Sequence, residues 1–241
     1  FLQRHCMEDC YMADAENSDY VVVDRVTKRF GEEMVLKETT MTMKRGKVYG
    51  IVGNNGSGKT VLMKCICGFL PVTSGSICVG QKYIGRDTDF PESLGLIIET
   101  PGFLTEYTGR KNLEILADLK RKVSGKGIRE CLQKVGLDPD LKKPVSKYSL
   151  GMRQRLGIAQ AIMENPEFLI LDEPFNGLDK KGTADIRAIL LELKKQGKTI
   201  LLASHNSMDI DILCDEVYEM DAGVLRRVRG GKEKNGEVCV C

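Results

Sequence analysis

Apolar and polar positions alternate with a two-residue period over residues 20–30 and again over 34–43, where β-branched side chains are frequent. That pattern predicts two strands joined by a turn at Gly31. Residues 47–52 (KVYGIV) are almost wholly apolar and run into a glycine-rich loop, the pattern of a strand buried on both faces. A helix is expected from Lys59 to about residue 68, after which Pro71 and Gly75 punctuate a return to strand at 76–79. Residues 92–99 (ESLGLIIE) read as another buried strand. The period then becomes helical over 109–122, 127–135 and 150–164, with Leu113, Leu116 and Leu119, and later Met152, Leu156, Ala159 and Met163, assigned to single faces. Strand character returns at 168–171, 199–203 and 216–220, with helices at 181–196 and 206–213 between them. The expected fold is α/β: a parallel sheet with right-handed crossovers, antiparallel strands on the N-terminal side, and an α-helical subdomain inserted at about 100–165. Residues 1–19 are polar and aperiodic and 230–241 are rich in Gly and Lys, so both read as mobile extensions around a domain at 20–229. The chain begins with Phe1, and Met12 is the candidate natural start.

A length of 241 residues suits one large domain or a core with a subdomain. With 36 Lys and Arg against 34 Asp and Glu the net charge is only +2, which argues against a nucleic-acid partner. The longest uncharged run, residues 65–81, is broken by Gly68, Pro71, Gly75 and Gly80 and cannot supply the ~20 apolar residues of a membrane span. Arg4, Glu8 and Asp9 interrupt any apolar leader, so the chain is expected to stay where it is made, in the cytoplasm. The nine cysteines have no CxxC spacing and are expected to be reduced. Cys65, Cys67, Cys78, Cys131 and Cys214 lie among apolar neighbours and read as core, whereas Cys6, Cys10, Cys239 and Cys241 sit in the polar ends.

Candidate chemistry begins after the central apolar strand. Gly53-Asn54-Asn55-Gly56-Ser57-Gly58-Lys59-Thr60 fits G-x-x-x-x-G-K-[ST], lying between a strand and a helix. The loop's backbone N–H groups would curl around the β- and γ-phosphates, Lys59 would reach them as a point charge, and Thr60 would offer a hydroxyl to Mg²⁺. Residues 168–173 (FLILDE) form a buried strand ending in two carboxylates, which would be costly inside a core. At the strand's C-terminal edge Asp172 can face the metal and Glu173 can orient or deprotonate an attacking water. No N-K-x-D guanine-reading motif occurs, so adenine is the expected base.

Between the two phosphate motifs lies Tyr148-Ser149-Leu150-Gly151-Met152-Arg153-Gln154-Arg155-Leu156, which resembles the L-S-G-G-Q signature and its helix. With phosphate loop, helical insert, signature and Asp-Glu in this order, residues of about 20–229 resemble the nucleotide-binding subunits of ATP-binding cassette (ABC) transporters. The resemblance implies a P-loop ATPase that binds ATP and Mg²⁺. It implies a dimer in which Ser149 and Gly151 meet the nucleotide of a second cassette, a homodimer or a heterodimer. It also implies a separate transmembrane permease, docking near residues 99–107 and the helical insert, with the ATPase on the cytoplasmic face of the membrane. Residue by residue, Phe30 corresponds to the aromatic that stacks on adenine, Asp179 lies in the loop that crosses the dimer interface, and His205 matches the switch histidine at the γ-phosphate.

Three departures stand out. Glu99 occupies the place of the usual metal-contacting glutamine; Leu150 and Met152 replace the signature's glycine and glutamine; and Val61 lacks a hydroxyl for the α-phosphate. Glu99-Thr-Pro-Gly-Phe together with Ser-Leu-Gly-Met-Arg-Gln-Arg-Leu resembles the branch that exports, or protects against, peptide antibiotics such as bacitracin and lantibiotics. The alternative is a soluble cassette that clamps in a cytosolic process, although the chain has neither a fused second cassette nor a basic stripe. A small-molecule phosphotransferase would leave the Ser149 signature without a role.

Overall fold

The computed structural model describes residues 19–120 and 122–230. Met12, the four terminal cysteines and, of the extensions expected at 1–19 and 230–241, residues 1–18 and 231–241 lie outside the described residues, while Asp19 already opens β1. Ten strands and six α-helices follow in order among the described residues: β1 (Asp19–Phe30), β2 (Glu33–Lys44), β3 (Val48–Val52), α1 (Lys59–Ile66), β4 (Ser74–Val79), β5 (Lys82–Tyr83), β6 (Leu94–Ile97), α2 (Gly109–Lys120), α3 (Gly125–Lys134), α4 (Leu150–Ile162), β7 (Phe168–Asp172), α5 (Lys180–Lys195), β8 (Thr199–Ala203), α6 (Ser207–Leu213), β9 (Glu216–Asp221) and β10 (Val224–Arg229).

The strands form two sheets. The first is antiparallel, in the order β2-β1-β4-β5; the second runs β10-β9-β3-β8-β7-β6. In the second sheet β9, β3, β8, β7 and β6 are mutually parallel and only β10 is antiparallel, pairing with the edge of β9. The short parallel strands β3, β6, β7 and β8 are apolar at nearly every position because both of their faces are covered, whereas β9 (EVYEMD), beside the β10 edge, carries three carboxylates. Side chains alternate across a strand. Phe168 and Ile170 of β7, with Tyr49, Ile51, Leu201 and Ala203, pack toward the antiparallel sheet and α1. Leu169 and Leu171, with Val48, Ile200 and Leu202, pack toward the remaining helices. The large sheet thus divides two cores, and the cores meet the solvent at the C-terminal ends of the strands, where the phosphate motifs lie.

Three differences from the sequence expectation have simple causes. Leu119 is 78% exposed, and the buried apolar positions of α2 are Leu113 and Ala117. Six residues rotate a helix by about 240°, so Leu113 and Leu119 cannot share a face. The first helix stops at Ile66, with Cys67 as its C-cap and Gly68 at φ +85° beyond it. Strands β5 and β10 are additional, the latter folding back on β9 through an Ala222-Gly223 turn.

α4 is seated closely on its surroundings. A Cβ at Gly157 would lie 2.7 Å from Pro101 Cγ, one at Gly151 would lie 2.8 Å from the Gly177 carbonyl oxygen, and one at Gly95 of β6 would collide with the Ala161 carbonyl. Near the helix's midpoint Arg155 donates to the Val135 carbonyl at 2.5 Å and pairs with Asp185 at 3.2 Å, tying α4 to the end of α3 and to α5.

Cys65, Cys67, Cys131 and Cys214 are free and buried, as expected, whereas Cys78 is half-buried. Burial pushes the Cys65 thiol up to about 11 and the Cys131 and Cys214 thiols up to about 12. These thiols stay protonated at neutral pH, and the thiolate is the reactive form. Iodoacetamide at pH 8 is therefore expected to modify them at least 10-fold more slowly in the native chain than in urea-unfolded chain, as read by peptide mass spectrometry. Equal rates in the two states would contradict this packing.

Candidate nucleotide site

β3, buried on both faces, delivers the chain to Gly53, whose φ is +143° and where a Cβ would collide with the Met220 carbonyl oxygen. From there residues 53–58 turn into the N-terminus of α1, so that the loop's N–H groups and the helix's partial positive charge converge. The Lys59 ammonium folds back across the loop and donates to the Gly53 carbonyl at 2.7 Å and the Asn54 carbonyl at 2.9 Å. Those bonds hold the cation over the cradle that the backbone encloses. Ser57 Oγ is buried with no hydrogen-bond partner, an orphaned donor of the kind a phosphate oxygen satisfies.

β7 ends beside this loop. Asp172, 8% exposed, accepts a 2.6 Å hydrogen bond from Thr60 Oγ1, which brings the two expected metal contacts together. The residues fit Mg²⁺: this ion takes few protein ligands and fills its shell with water and phosphate oxygens. Accordingly, no group of three His, Cys, Asp or Glu side chains able to hold a metal occurs among the described residues. Glu173 follows with φ +49°, its N–H donating to the Ala203 carbonyl at 2.9 Å. That turn brings its carboxylate within 2.8 Å of His205 Nδ1 at the end of β8.

A cavity of about 530 Å³ opens over these groups, lined by Asn55, Gly56, Gly58, Lys59, Thr60, Glu99, Asp172 and Glu173 from the phosphate side and by Leu150, Arg153, Gln154 and Asn176 from the signature side. Gln154 also donates to the Glu173 carbonyl at 3.3 Å, so α4 touches the backbone of the expected catalytic residue. Arg153 and Gln154 belong to the signature segment and Asn176 opens the Asn176-Gly177-Leu178-Asp179 loop, but the sequence gives none of the three a place on this chain's own phosphate cavity.

The other expected site residues divide among the cavity wall, the helix caps and, for Phe30, the end of β1. Glu99, at φ +59°, lines the cavity but its carboxylate is held by Lys64 at 2.6 Å, one helical turn beyond Thr60 on α1. Ser149 caps α4, accepting from Met152 N at 3.2 Å, and Asp179 caps α5, accepting from Gly182 N at 2.7 Å. Neither lines the cavity, and Phe30 does not line it either. Phe30 stands at the end of β1, 45% exposed.

Residues 36–176, more than half of the chain, match the ABC transporter family. The chain is similar to the bacitracin transport ATP-binding protein BcrA of Enterococcus faecalis, 42% identical over 210 residues that cover 86% of this chain and 68% of the relative. It is also similar to the lantibiotic transport ATP-binding protein SrtF of Streptococcus pyogenes, 38% identical over 219 residues that cover 90% of this chain and 94% of that one. In fold it resembles the ATP-binding cassette MJ0796 in its dimeric post-hydrolysis state bound to ADP and Pi, with a TM-score of 0.78 at 23% identity, covering 88% of this chain and all of that one. Sequence, order of motifs and architecture agree: the chain belongs to the ABC transporter family and is one of its ATP-hydrolysing cassettes.

Proposed function

We propose that the chain, with residues 20–229 as its cassette and 100–165 as the helical subdomain, is the motor of a transporter. It closes on a second copy around ATP and drives a separate membrane permease for a peptide antibiotic. The observation that carries this reading is one cavity joining Lys59, Thr60, Asp172 and Glu173 to the start of the signature helix. The names of BcrA and SrtF, at about 40% identity, support the class of cargo. No helix among the described residues is long and apolar enough to cross a membrane, which accords with a subunit resting on the cytoplasmic face beneath a permease. The near-balanced charge gives no reason to add a nucleic-acid partner.

In this mechanism the loop of residues 53–58 wraps the β- and γ-phosphates and Lys59 leaves its carbonyl partners to pair with them. Thr60 and Asp172 would hold Mg²⁺, which would supply charge neutralisation on the phosphate oxygens, and Glu99 on the cavity wall is the candidate for a further contact to the ion or its water. Glu173 orients the water for in-line attack and takes its proton, while His205 fixes the Glu173 carboxylate and reaches toward the γ-phosphate. The N-terminus of α4, with Ser149 and Gly151, offers a second anion site to the nucleotide of the other copy, and Asp179 sits in the segment that crosses between them.

The test uses Glu173→Gln with ATP as bait in detergent-solubilised membranes of the native host, with mass spectrometry of what it retains. A multi-span membrane protein in stoichiometric amount is expected; only soluble partners or nucleic acid would overturn the transporter reading. Light scattering of the same variant is expected to show twice the mass on adding ATP. An unchanged mass would remove the homodimer.

A further inference from the structure

The end of β1 contains a buried cation that the mechanism above does not use. Lys28 is 8% exposed, its ammonium donating to the Pro71 carbonyl at 2.7 Å and lying 4.9 Å from the centroid of the Phe30 ring. Lys28 and Phe30 are two residues apart and so share a face of the strand, with Lys28 inside and Phe30 at the surface. Burying an ammonium is costly, and a methionine or leucine would fill the same space without that cost. Two groups offset it here, a carbonyl and an aromatic face, and the second is the ring assigned to adenine.

We propose that Lys28 is a positioning residue for the purine platform, an inference that rests on the reading of Phe30 as that platform. Its carbonyl anchor fixes the ammonium, and the ammonium fixes the ring from one side. A cation on one face also draws electron density toward itself, which lowers the repulsion between the other face and the electron-rich face of a stacked base. Pro71 belongs to the segment that leaves α1, so the same ammonium ties the platform to the phosphate-binding helix. Base and triphosphate are thereby held in one frame.

The proposal separates contacts to the base from contacts to the phosphates, and so does its test. Calorimetry would compare binding of MgATP with that of magnesium tripolyphosphate, which lacks base and sugar, for the wild type, Lys28→Met, Lys28→Arg and Phe30→Leu. Lys28→Met is expected to weaken ATP roughly 3–10-fold and to leave tripolyphosphate within 2-fold, with Lys28→Arg close to wild type. If Lys28→Met unfolds, Lys28→Gln keeps a donor for the Pro71 carbonyl and must show the same selective loss. Unchanged ATP affinity in these variants while Phe30→Leu weakens it would overturn the role of Lys28 and leave the platform standing. An equal loss for both ligands would also overturn it, since Lys28 would then act through the fold of the phosphate loop. Unchanged ATP affinity in Phe30→Leu would overturn the platform reading, and the role of Lys28 with it.

Discussion

Replacing Glu173 with glutamine is expected to lower ATP turnover by about 10²-fold or more while ATP affinity stays within a few-fold of wild type. The amide keeps the size of the side chain and can still accept from His205, 2.8 Å away in the native pair, but it cannot take a proton from water. The loss therefore falls on the transition state. Its hydrogen bonds run to Gln154, His205, Ala203 and Asn176 rather than to the phosphate loop, whose own contacts run through Lys59 and residues 53–54, so binding has no reason to change. Phosphate release under saturating ATP and calorimetry of the same preparation would check the two halves. Turnover near the wild-type rate would remove Glu173 from the catalytic role, and a parallel loss of affinity would make it a structural residue.

The second large effect concerns the loop's shape. Gly53→Ala is expected to destabilise the fold by about 2–5 kcal/mol, because φ +143° is a region that side chains rarely adopt and the new methyl group would meet the Met220 carbonyl of β9. For a chain of this size that is a fall in Tm of roughly 5–20 °C. Gly56→Ala isolates the first of these two causes: φ there is +79° but a Cβ would find nothing within 4 Å. Its cost is expected to be about 1 kcal/mol. Thermal unfolding of both variants measures the contrast, and equal Tm values would show that the approach of β9 does not set the loop. ATP binding should fail in Gly53→Ala even below its melting point, since the first turn of the cradle can then form only by displacing β9.

Much of this organisation is legible in the sequence because two strong signals coincide. The buried strands β3, β7 and β8 are runs of apolar residues; β3 runs straight into the glycine-rich loop that starts at Gly53, and β7 ends in a carboxylate, Asp172. β10 escapes detection because four of its six residues are exposed and three are arginine, so an edge strand there has the composition of a polar loop. β5 is too short for any period to register. Within the site, the cradle and the Thr60–Asp172 contact follow from motif order. The tether between Lys64 and Glu99 does not, because nothing in a one-dimensional pattern says that residue 99 returns beside a turn of α1. Gln154 and Asn176 lie in segments the sequence marks, but their place on this cavity comes from tertiary packing.

The seating of α4 sets how movement passes through the molecule. Where a side chain separates two elements, a small shift is absorbed by a change of rotamer; at Gly157 on Pro101 and Gly151 on the Gly177 carbonyl there is no such cushion. The helix of 13 residues, ~20 Å long, thus works like a shaft without backlash. A displacement of the segment after Glu99 is therefore expected to move α4, with Ser149 at its start, as one body rather than to be taken up by a rotamer change. Coupling of that kind is reciprocal: a contact that favours one seating of α4 at either end changes the affinity for a contact at the other end by the same factor in both directions.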